Sequence, residues 1–465
     1  MRPSVDIAFV RGPALGGTAR SMPLPPLGML YVAGALEVAG YRVAVVDADG
    51  EGLNLAEFTA RLRLLRPTVI GLSGMTPMRQ LIARDLALVR PFCDRVVLGG
   101  VHATRFRAEV LDEFPAVDAL VIGEGEEVAP ALMEWWNQGA VGNPPAGVLV
   151  RGAPFEEASP PAKLDALAWP ARHLVPHSRY RYLFQTRPRF TTFISSRGCP
   201  FRCTFCDKTV SGSAWRARSA EDVVDELDYL ASALGIGSVC IFDDNFTLRR
   251  RRVEEICEEL LRRDVQIDWK CEARVDGITP DLAKLMARAG CKTVAFGVES
   301  GNQDSLDFLK KDQGVEQARA AIASCRSAGI ETVAYVLVGI PGETPQSTLR
   351  TLDLARESQL DFIQFSTLSP FAGTELHDLA KKEGWLRDTR VRNPVDAEEF
   401  RATLVPPGWT EEELDRTLRR VYSGFYLRPR YLARQAWRAR CSGTLKPRAR
   451  LGLRVAKWAW SPGGF

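Results

Sequence analysis

The chain has 465 residues, 46% hydrophobic and 25% charged, with a net charge of +4. That length is more than one hydrophobic core usually serves, so two or three domains are expected, and the balanced composition excludes a disordered or fibrous chain. No apolar run approaches the roughly 20 residues that cross a bilayer, and the first apolar stretch carries Asp6 with no basic leader before it, so a cytoplasmic protein is expected.

Strands are predicted at residues 5–10, 42–47, 68–73, 95–99 and 119–122, each a short β-branched run ended by Gly, Ser or Asp. Helical patterns at 27–39, 55–65, 80–89 and 128–136 lie between them. This alternation predicts a parallel sheet covered on both faces, a doubly wound α/β domain over residues 1–141. Ligands of such sheets sit beyond the C-terminal strand ends, where the loops 73–76, 99–104 and 123–126 fall. Ser73, Thr76, Gly99, Gly100, Thr104 and Gly123 are small or hydroxyl-bearing and let a ligand's backbone or phosphate approach closely, with His102 and Glu124 beside them. Arg11-Gly12-Pro13 follows the first strand in place of GxGxxG, so a dinucleotide site is not indicated.

A Pro-rich connector over 142–188 follows, with Pro144-Pro145, Pro160-Pro161, Pro170 and Pro176. Alternation then resumes. Strands are predicted at 190–195, 238–242, 267–273, 293–298, 332–338 and 361–368, and helices at 221–234, 251–263, 280–289, 315–328 and 345–357, the first opened by a capping box of Ser219 and Asp222. Six β/α units make a partial (β/α)6 barrel over 189–385. Residues 386–465 read as a small, mainly helical C-terminal subdomain. From Arg416 to Lys457 it carries thirteen Lys or Arg and no Asp or Glu, which suits a membrane surface, a polyanion or an acidic patch of the same protein. Tyr422, Phe425, Tyr426, Tyr431, Trp437, Trp458 and Trp460 interleave with these arginines, as in an interfacial helix, an apolar substrate's mouth or a helical subdomain packed on the barrel. No nucleic-acid module is recognisable, and no nucleic-acid partner is expected.

Three of the ten cysteines, Cys199, Cys203 and Cys206, crowd together after the first strand of the second domain with the spacing CxxxCxxC. Three thiolates on one loop can hold three irons of a [4Fe–4S] cluster and leave the fourth iron without a protein ligand. A tetrahedral zinc site wants a fourth ligand, and the next cysteine or histidine is distant Cys240. Cys240, Cys257, Cys271, Cys291 and Cys325 fall in strand or helix patterns, as buried thiols do.

With Phe205 before the last cysteine, this motif on a partial barrel resembles the radical S-adenosylmethionine (SAM) superfamily. The N-terminal part is similar to the Rossmann-like cobalamin-binding domain of its B12-dependent branch, through Pro25-Pro26-Leu27-Gly28, Gly99-Gly100-Val101-His102-Ala103-Thr104 and Gly123-Glu124-Gly125-Glu126. Asp243-Asp244-Asn245, Gly297-Val298-Glu299-Ser300-Gly301, Gly339-Ile340-Pro341-Gly342-Glu343 and Phe425-Tyr426-Leu427-Arg428-Pro429 match the branch as well. The resemblance implies a [4Fe–4S] cluster, SAM and cobalamin as cofactors, the cluster bound by Cys199, Cys203 and Cys206. It further implies Phe205 and Ile340 near the adenine, Asp243 and Asp244 near the SAM amino group and Arg274 at its carboxylate. Glu299 and Ser300 would meet the ribose or methionine moiety, and the loops 73–76, 99–104 and 123–126 the corrin. The Asp-x-His-x-x-Gly motif of methyl-carrying cobalamin proteins is missing, since Gly100 stands two positions before His102. The implied activity is methyl transfer from methylcobalamin to an unactivated carbon, or phosphorus, of a small-molecule biosynthetic intermediate, fed by a flavodoxin- or ferredoxin-type donor. A cyclase or rearrangement enzyme without methyl transfer is the alternative, and a non-catalytic cobalamin or Fe–S sensor is a further one. The implied location is cytoplasmic, with a peripheral membrane contact through the basic tail.

Overall fold

A computed structural model describes residues 5–14, 23–387 and 404–442. The first sheet holds β1 (Ile7–Arg11), β2 (Val43–Asp47), β3 (Val69–Ser73), β4 (Arg95–Gly99), β5 (Ala119–Val121) and β6 (Val148–Leu149) in the order β2-β1-β3-β4-β5-β6. All pairs are parallel except β5–β6. Chain order therefore reverses at β1/β3, the arrangement that opens a crevice at the C-terminal strand ends. The strands are almost wholly buried because helices cover both faces. Val10, Val46, Ile70, Leu72, Val96 and Leu98 share a core with Phe58 and Leu62 of the helix Leu55–Leu65. That helix starts where predicted because Asn54 and Glu57 cap each other, Oδ1 accepting from the Glu57 N–H at 3.0 Å and Oε2 from the Asn54 N–H at 2.9 Å. β6 lies inside the connector, where a two-residue pairing leaves no periodicity to read.

Next come β7 (Phe190–Phe193), a two-residue antiparallel ribbon of β8 (Ser196–Arg197) and β9 (Arg216–Ala217), and then β10 (Ser238–Ile241), β11 (Asp268–Ala273), β12 (Cys291–Glu299), β13 (Glu331–Val338) and β14 (Phe362–Thr367). The second sheet has the order β14-β13-β12-β11-β10-β7, with every pair from β10 to β14 parallel. The helices Ala220–Ser232, Arg250–Arg262, Pro280–Arg288, Val315–Ser327 and Pro345–Glu357 alternate with these strands, as the period change predicts. Ser219 Oγ accepts from the Asp222 N–H at 3.2 Å and opens the first of them. By contacts the chain forms two compact units. The first comprises Met1–Tyr182, Arg189–Cys199 and Lys208–Arg218; the second comprises Leu183–Pro188, Pro200–Asp207 and Ser219–Phe465.

Within the second unit, the helices Glu411–Tyr426 and Pro429–Ser442 give the C-terminal aromatics a structural task. The Tyr422 hydroxyl accepts from the Phe365 N–H at 3.1 Å and donates to its carbonyl at 2.9 Å. One turn later the Tyr426 hydroxyl treats Ile363 the same way, at 3.0 and 2.6 Å, and Tyr431 donates to Asp361 O at 2.8 Å. A helix repeat of four residues thus meets a strand repeat of two along β14, and satisfies backbone groups that an open sheet edge leaves unpaired. Tyr422, Phe425, Tyr426 and Tyr431 pack on the barrel, and the Trp437 side chain lies outside the described ones. Trp458 and Trp460 fall outside the described residues. Among the described residues no helix is long and apolar enough to cross a membrane.

Candidate functional site

In the first unit the loops after β3, β4 and β5 are neighbours because their strands are. Gly100 (φ 90°) turns the chain from β4 into the helix Val101–Phe106, so close to Ser73 and Gly74 that a Cβ there would lie 2.6 Å from Ser73 Oγ. Gly99 O accepts from the Gly74 N–H at 3.4 Å, and the Thr104 hydroxyl accepts from the Gly123 N–H at 3.0 Å. Gly123 (φ 79°) has open space where a side chain would stand. Glycine is thus required twice, once for close packing and once to leave backbone bare at the strand ends. That bare, hydroxyl-lined rim fits the amide-rich edge of a corrin.

Two residues of this group face inward. His102 is 2% exposed, with Nδ1 3.4 Å from the Thr76 hydroxyl and Nε2 3.2 Å from Glu113 Oε2. Burial lowers its pKa, against the pull of Glu113. Both ring nitrogens thus have a partner within the unit. Glu124 is likewise engaged, its carboxylate shared by Arg197 and Arg216.

In the second unit the cysteine loop is fixed by backbone contacts: Thr204 N donates to Leu309 O at 3.0 Å and Thr204 O accepts from Leu376 N at 2.9 Å. Phe205 and Ile340, far apart in sequence, pack into one apolar cluster with Leu309, Leu368 and Leu376. Arg274, at the end of β11, has its guanidinium 3.6 Å from the Phe201 ring centre and donates to Lys311 O at 2.7 Å, Asp312 O at 2.9 Å and Asp276. Much of its donor capacity thus goes to holding neighbouring loops. Glu299 ends β12 at a bulge with φ 61°, a left-handed backbone that a non-glycine residue adopts at a cost of about 1–3 kcal/mol. Its carboxylate is buried, 2.7 Å from Lys311 Nζ. Ser300 donates to Glu343 at 2.7 Å, a carboxyl whose pKa burial raises although Ser300, Ser305 and Thr348 all bond to it. Asp243 is 1% exposed and Asp244 lies at the surface, just beyond β10.

Lys311 was not foreseen in the sequence. Its ammonium stands 5.9 Å from the Phe205 ring centre, and although burial disfavours its charge, Glu299 and Cys203 hold its pKa above the usual lysine value. The available signal was Glu299 itself, since a carboxylate ending a buried apolar strand needs a cation. Also unforeseen, β11 carries Lys270 and Glu272 on the same face as Arg274. Lys270 pairs with Glu272, which accepts from the Tyr335 hydroxyl at 3.2 Å.

Cys199 belongs to the first unit and Cys203 and Cys206 to the second. None of the three is in a disulfide, and Cys206 is exposed and the others partly so, whereas Cys240, Cys257, Cys271, Cys291 and Cys325 are buried. Among the described residues no three Cys, His, Asp or Glu stand grouped as a metal site. The donor set nevertheless fits an iron–sulfur cluster: three accessible soft ligands on one loop, gathered when iron binds.

A bare-backbone rim on a doubly wound sheet and a CxxxCxxC loop of accessible thiols are what a two-cofactor enzyme joining a corrin carrier to an iron–sulfur radical barrel requires. Residues 193–355 match the radical SAM superfamily and residues 15–133 the B12 binding domain. The chain is 31% identical over 375 residues to the anaerobic magnesium-protoporphyrin IX monomethyl ester cyclase of Rubrivivax gelatinosus, covering 78% of this chain and 67% of that protein. It is 28% identical over 421 residues to an uncharacterized methyltransferase of Pyrococcus horikoshii, covering 88% and 89%. It is also 28% identical over 462 residues to the cytidylyl-2-hydroxyethylphosphonate methyltransferase of Streptomyces wedmorensis, covering 84% of each. In fold it is similar to the radical SAM methyltransferase TsrM of Kitasatospora setae, solved with cobalamin and a [4Fe–4S] cluster bound, at a TM-score of 0.71 and 19% identity over 91% of this chain and 89% of that one. The chain belongs to the B12-binding radical SAM enzymes.

Proposed function

We propose that the protein is a cobalamin-dependent radical SAM methyltransferase that methylates an unactivated carbon, or a phosphorus, of a small-molecule biosynthetic intermediate. The observation that carries this reading is the union of a B12 binding domain with an accessible CxxxCxxC loop, and the methyltransferases among its relatives support it. When bound, the cofactors supply one-electron cleavage of SAM and a methyl group held on cobalt. We assign corrin binding to residues 1–141, a connector to 142–188, the radical barrel to 189–385 and a C-terminal subdomain to 386–465.

Cys199, Cys203 and Cys206 ligate iron, while Phe205 and Ile340 bound the adenine. Asp243 and Asp244 face the SAM amino group, Arg274 with Lys311 its carboxylate, and Glu299 with Ser300 the ribose side. Ser73, Thr76, Gly99, Gly100, Thr104 and Gly123 offer backbone and hydroxyl groups to the corrin; His102 and Glu124 act behind them. Electrons come from a low-potential flavodoxin- or ferredoxin-type protein, and the basic segment beyond Tyr431 provides a peripheral membrane contact.

The test is anaerobic reconstitution with iron, sulfide and hydroxocobalamin, followed by SAM and reductant. Methyl transfer yields S-adenosylhomocysteine and 5′-deoxyadenosine together. The R. gelatinosus relative favours one second reading, a cyclase, which would give 5′-deoxyadenosine without S-adenosylhomocysteine. Absence of 5′-deoxyadenosine rejects both.

A further inference from the structure

Four charged side chains in the first unit form a buried cluster, of which only Glu124 enters the assignment above. Glu124 and Glu126 open the helix Gly125–Asn137, directly after the Gly123 loop, with side chains 3% and 5% exposed. Arg197 of β8 bridges them, Nη1 donating to Glu124 Oε2 at 2.6 Å and Nη2 donating to Glu126 Oε1. Burial opposes the charge on Arg197, yet Glu126 and Glu124 raise its pKa above the arginine value. Arg216 in β9, paired in register with Arg197, donates to Glu124 Oε1 and, at 2.7 Å, to Pro161 O. The guanidinium of Arg197 also lies 5.0 Å from the centre of the Tyr31 ring.

Arg197 thus spans two carboxylates, while Arg216 sets two nitrogens on the two oxygens of Glu124, Nη1 3.2 Å from Oε2, an arrangement in which arginine cannot be replaced by a point charge. What they hold is the ribbon that leads into Gly198 and Cys199. Gly198 adopts φ 80°, where any side chain would run into the carbonyl of Ala214, and Cys199 N donates to Gly212 O at 3.4 Å. A separate tether points the same way: Arg105, in the helix Val101–Phe106 that follows Gly100, donates to Thr209 Oγ1 beyond the cysteines. The backbone around the first thiol is therefore fastened to the elements that follow β4 and β5.

We propose that this four-residue clamp couples the two cofactor sites: the state of the loops 99–104 and 123–126 sets the position of Cys199, and iron on Cys199 sets the readiness of those loops for the corrin. Glu124, Glu126, Arg197 and Arg216 are positioning residues in this scheme, which rests on the cofactor assignment made above. Thermodynamic linkage makes the effect reciprocal, so iron must change corrin affinity by the same factor as corrin changes iron affinity.

The test is an anaerobic absorbance titration of hydroxocobalamin into the full chain, reconstituted and iron-free. The wild type is expected to bind the corrin about fivefold or more tightly in one form than in the other. Glu126→Gln removes one partner of Arg197, and Arg197→Lys keeps the charge but loses the fork; both are expected to bring the two dissociation constants together. The EPR signal of the reduced cluster should respond to hydroxocobalamin in the wild type and cease to respond in the variants. Equal constants in the wild type overturn the coupling, and that comparison needs no variant to fold. A wild-type difference unchanged in both folded variants overturns the clamp as its cause. Failure of the wild type to bind corrin in either form overturns the cofactor assignment as well, and is thereby distinguishable.

Discussion

Lys311→Met isolates the central ion pair of the second unit. Lys311 Nζ and Glu299 Oε1 are 2.7 Å apart, with side chains only 9% and 7% exposed, and Glu299 is fixed by its bulged backbone with φ 61°. The substitution leaves that carboxylate buried without its cation, at an expected cost of about 3–5 kcal/mol. Adding Glu299→Gln removes the second charge, so the double variant should return to within about 1–2 kcal/mol of the wild type, about 2–3 kcal/mol better than Lys311→Met alone. Equilibrium urea unfolding reads these differences through Trp269 and Trp409, both buried in the second unit. Gly297 shows how tightly the pair is packed, because a Cβ there would lie 2.7 Å from Lys311 Nζ. A single variant within about 1 kcal/mol of the wild type, or a double variant no better than the single, would refute the reasoning. The double variant also tests function: it should still take up iron, yet SAM should no longer alter the EPR spectrum of its cluster.

Tyr426→Phe removes a hydroxyl that satisfies both Ile363 N and O in a side chain 8% exposed. Two buried backbone groups left unpaired cost about 2–4 kcal/mol together, and hydrogen exchange should quicken at β14 before it does at β12; unchanged exchange contradicts the edge-capping role. His177 is buried beside Arg172, and desolvation, with Arg172 adding to it, lowers its pKa to about 4. The unfolded chain therefore binds a proton that the folded chain refuses, so stability should fall as pH drops from about 6.5 to about 4, by up to about 3 kcal/mol, and His177→Gln should flatten that slope in urea titrations at stepped pH. Mass-mapped alkylation of the iron-free native protein should label Cys199, Cys203 and Cys206 and spare Cys240, Cys257, Cys271, Cys291 and Cys325. Burial raises the pKa of four of these five, Cys257, Cys271, Cys291 and Cys325, and thiols labelled before unfolding would contradict it.

Most of the α/β alternation was legible because its signal is local. The β-branched runs that became β3, β4 and β13 ended at Ser73, Gly99 and Val338, and the capped helix 55–65 and the proline-initiated helix 345–357 match their observed bounds. Pairings that need two distant segments were not legible. β6, the β8–β9 ribbon and the Arg197–Glu124 contact, 73 residues apart, leave no periodicity. The same limit applied to the candidate site. Its residues could be named one by one, but not which of them were already engaged by others: His102 by Thr76 and Glu113, Ser300 by Glu343, and Arg274 by the 311–312 carbonyls.

The aromatic-and-arginine pattern of the C-terminal segment shows why such engagement matters. Tyrosines spaced by one helical turn beside basic residues satisfy the composition rule for an interfacial helix, and they equally satisfy the geometry of a sheet edge, whose free N–H and C=O groups repeat every second residue. The hydroxyls decide between the two. At an interface they would be turned to water, whereas Tyr422 and Tyr426 each accept from and donate to a single residue of β14. Arg434 follows the same rule on the adjoining turn, giving its guanidinium to the carbonyls of Gln359 and Leu360. Part of the basic charge is thus spent on the barrel's own backbone, and the membrane contact proposed above is left to the arginines and lysines beyond it. Vesicle binding should therefore survive Arg434→Gln and fall when Lys446, Arg448 and Arg450 are neutralised together; the opposite ranking would locate the contact on the folded helix.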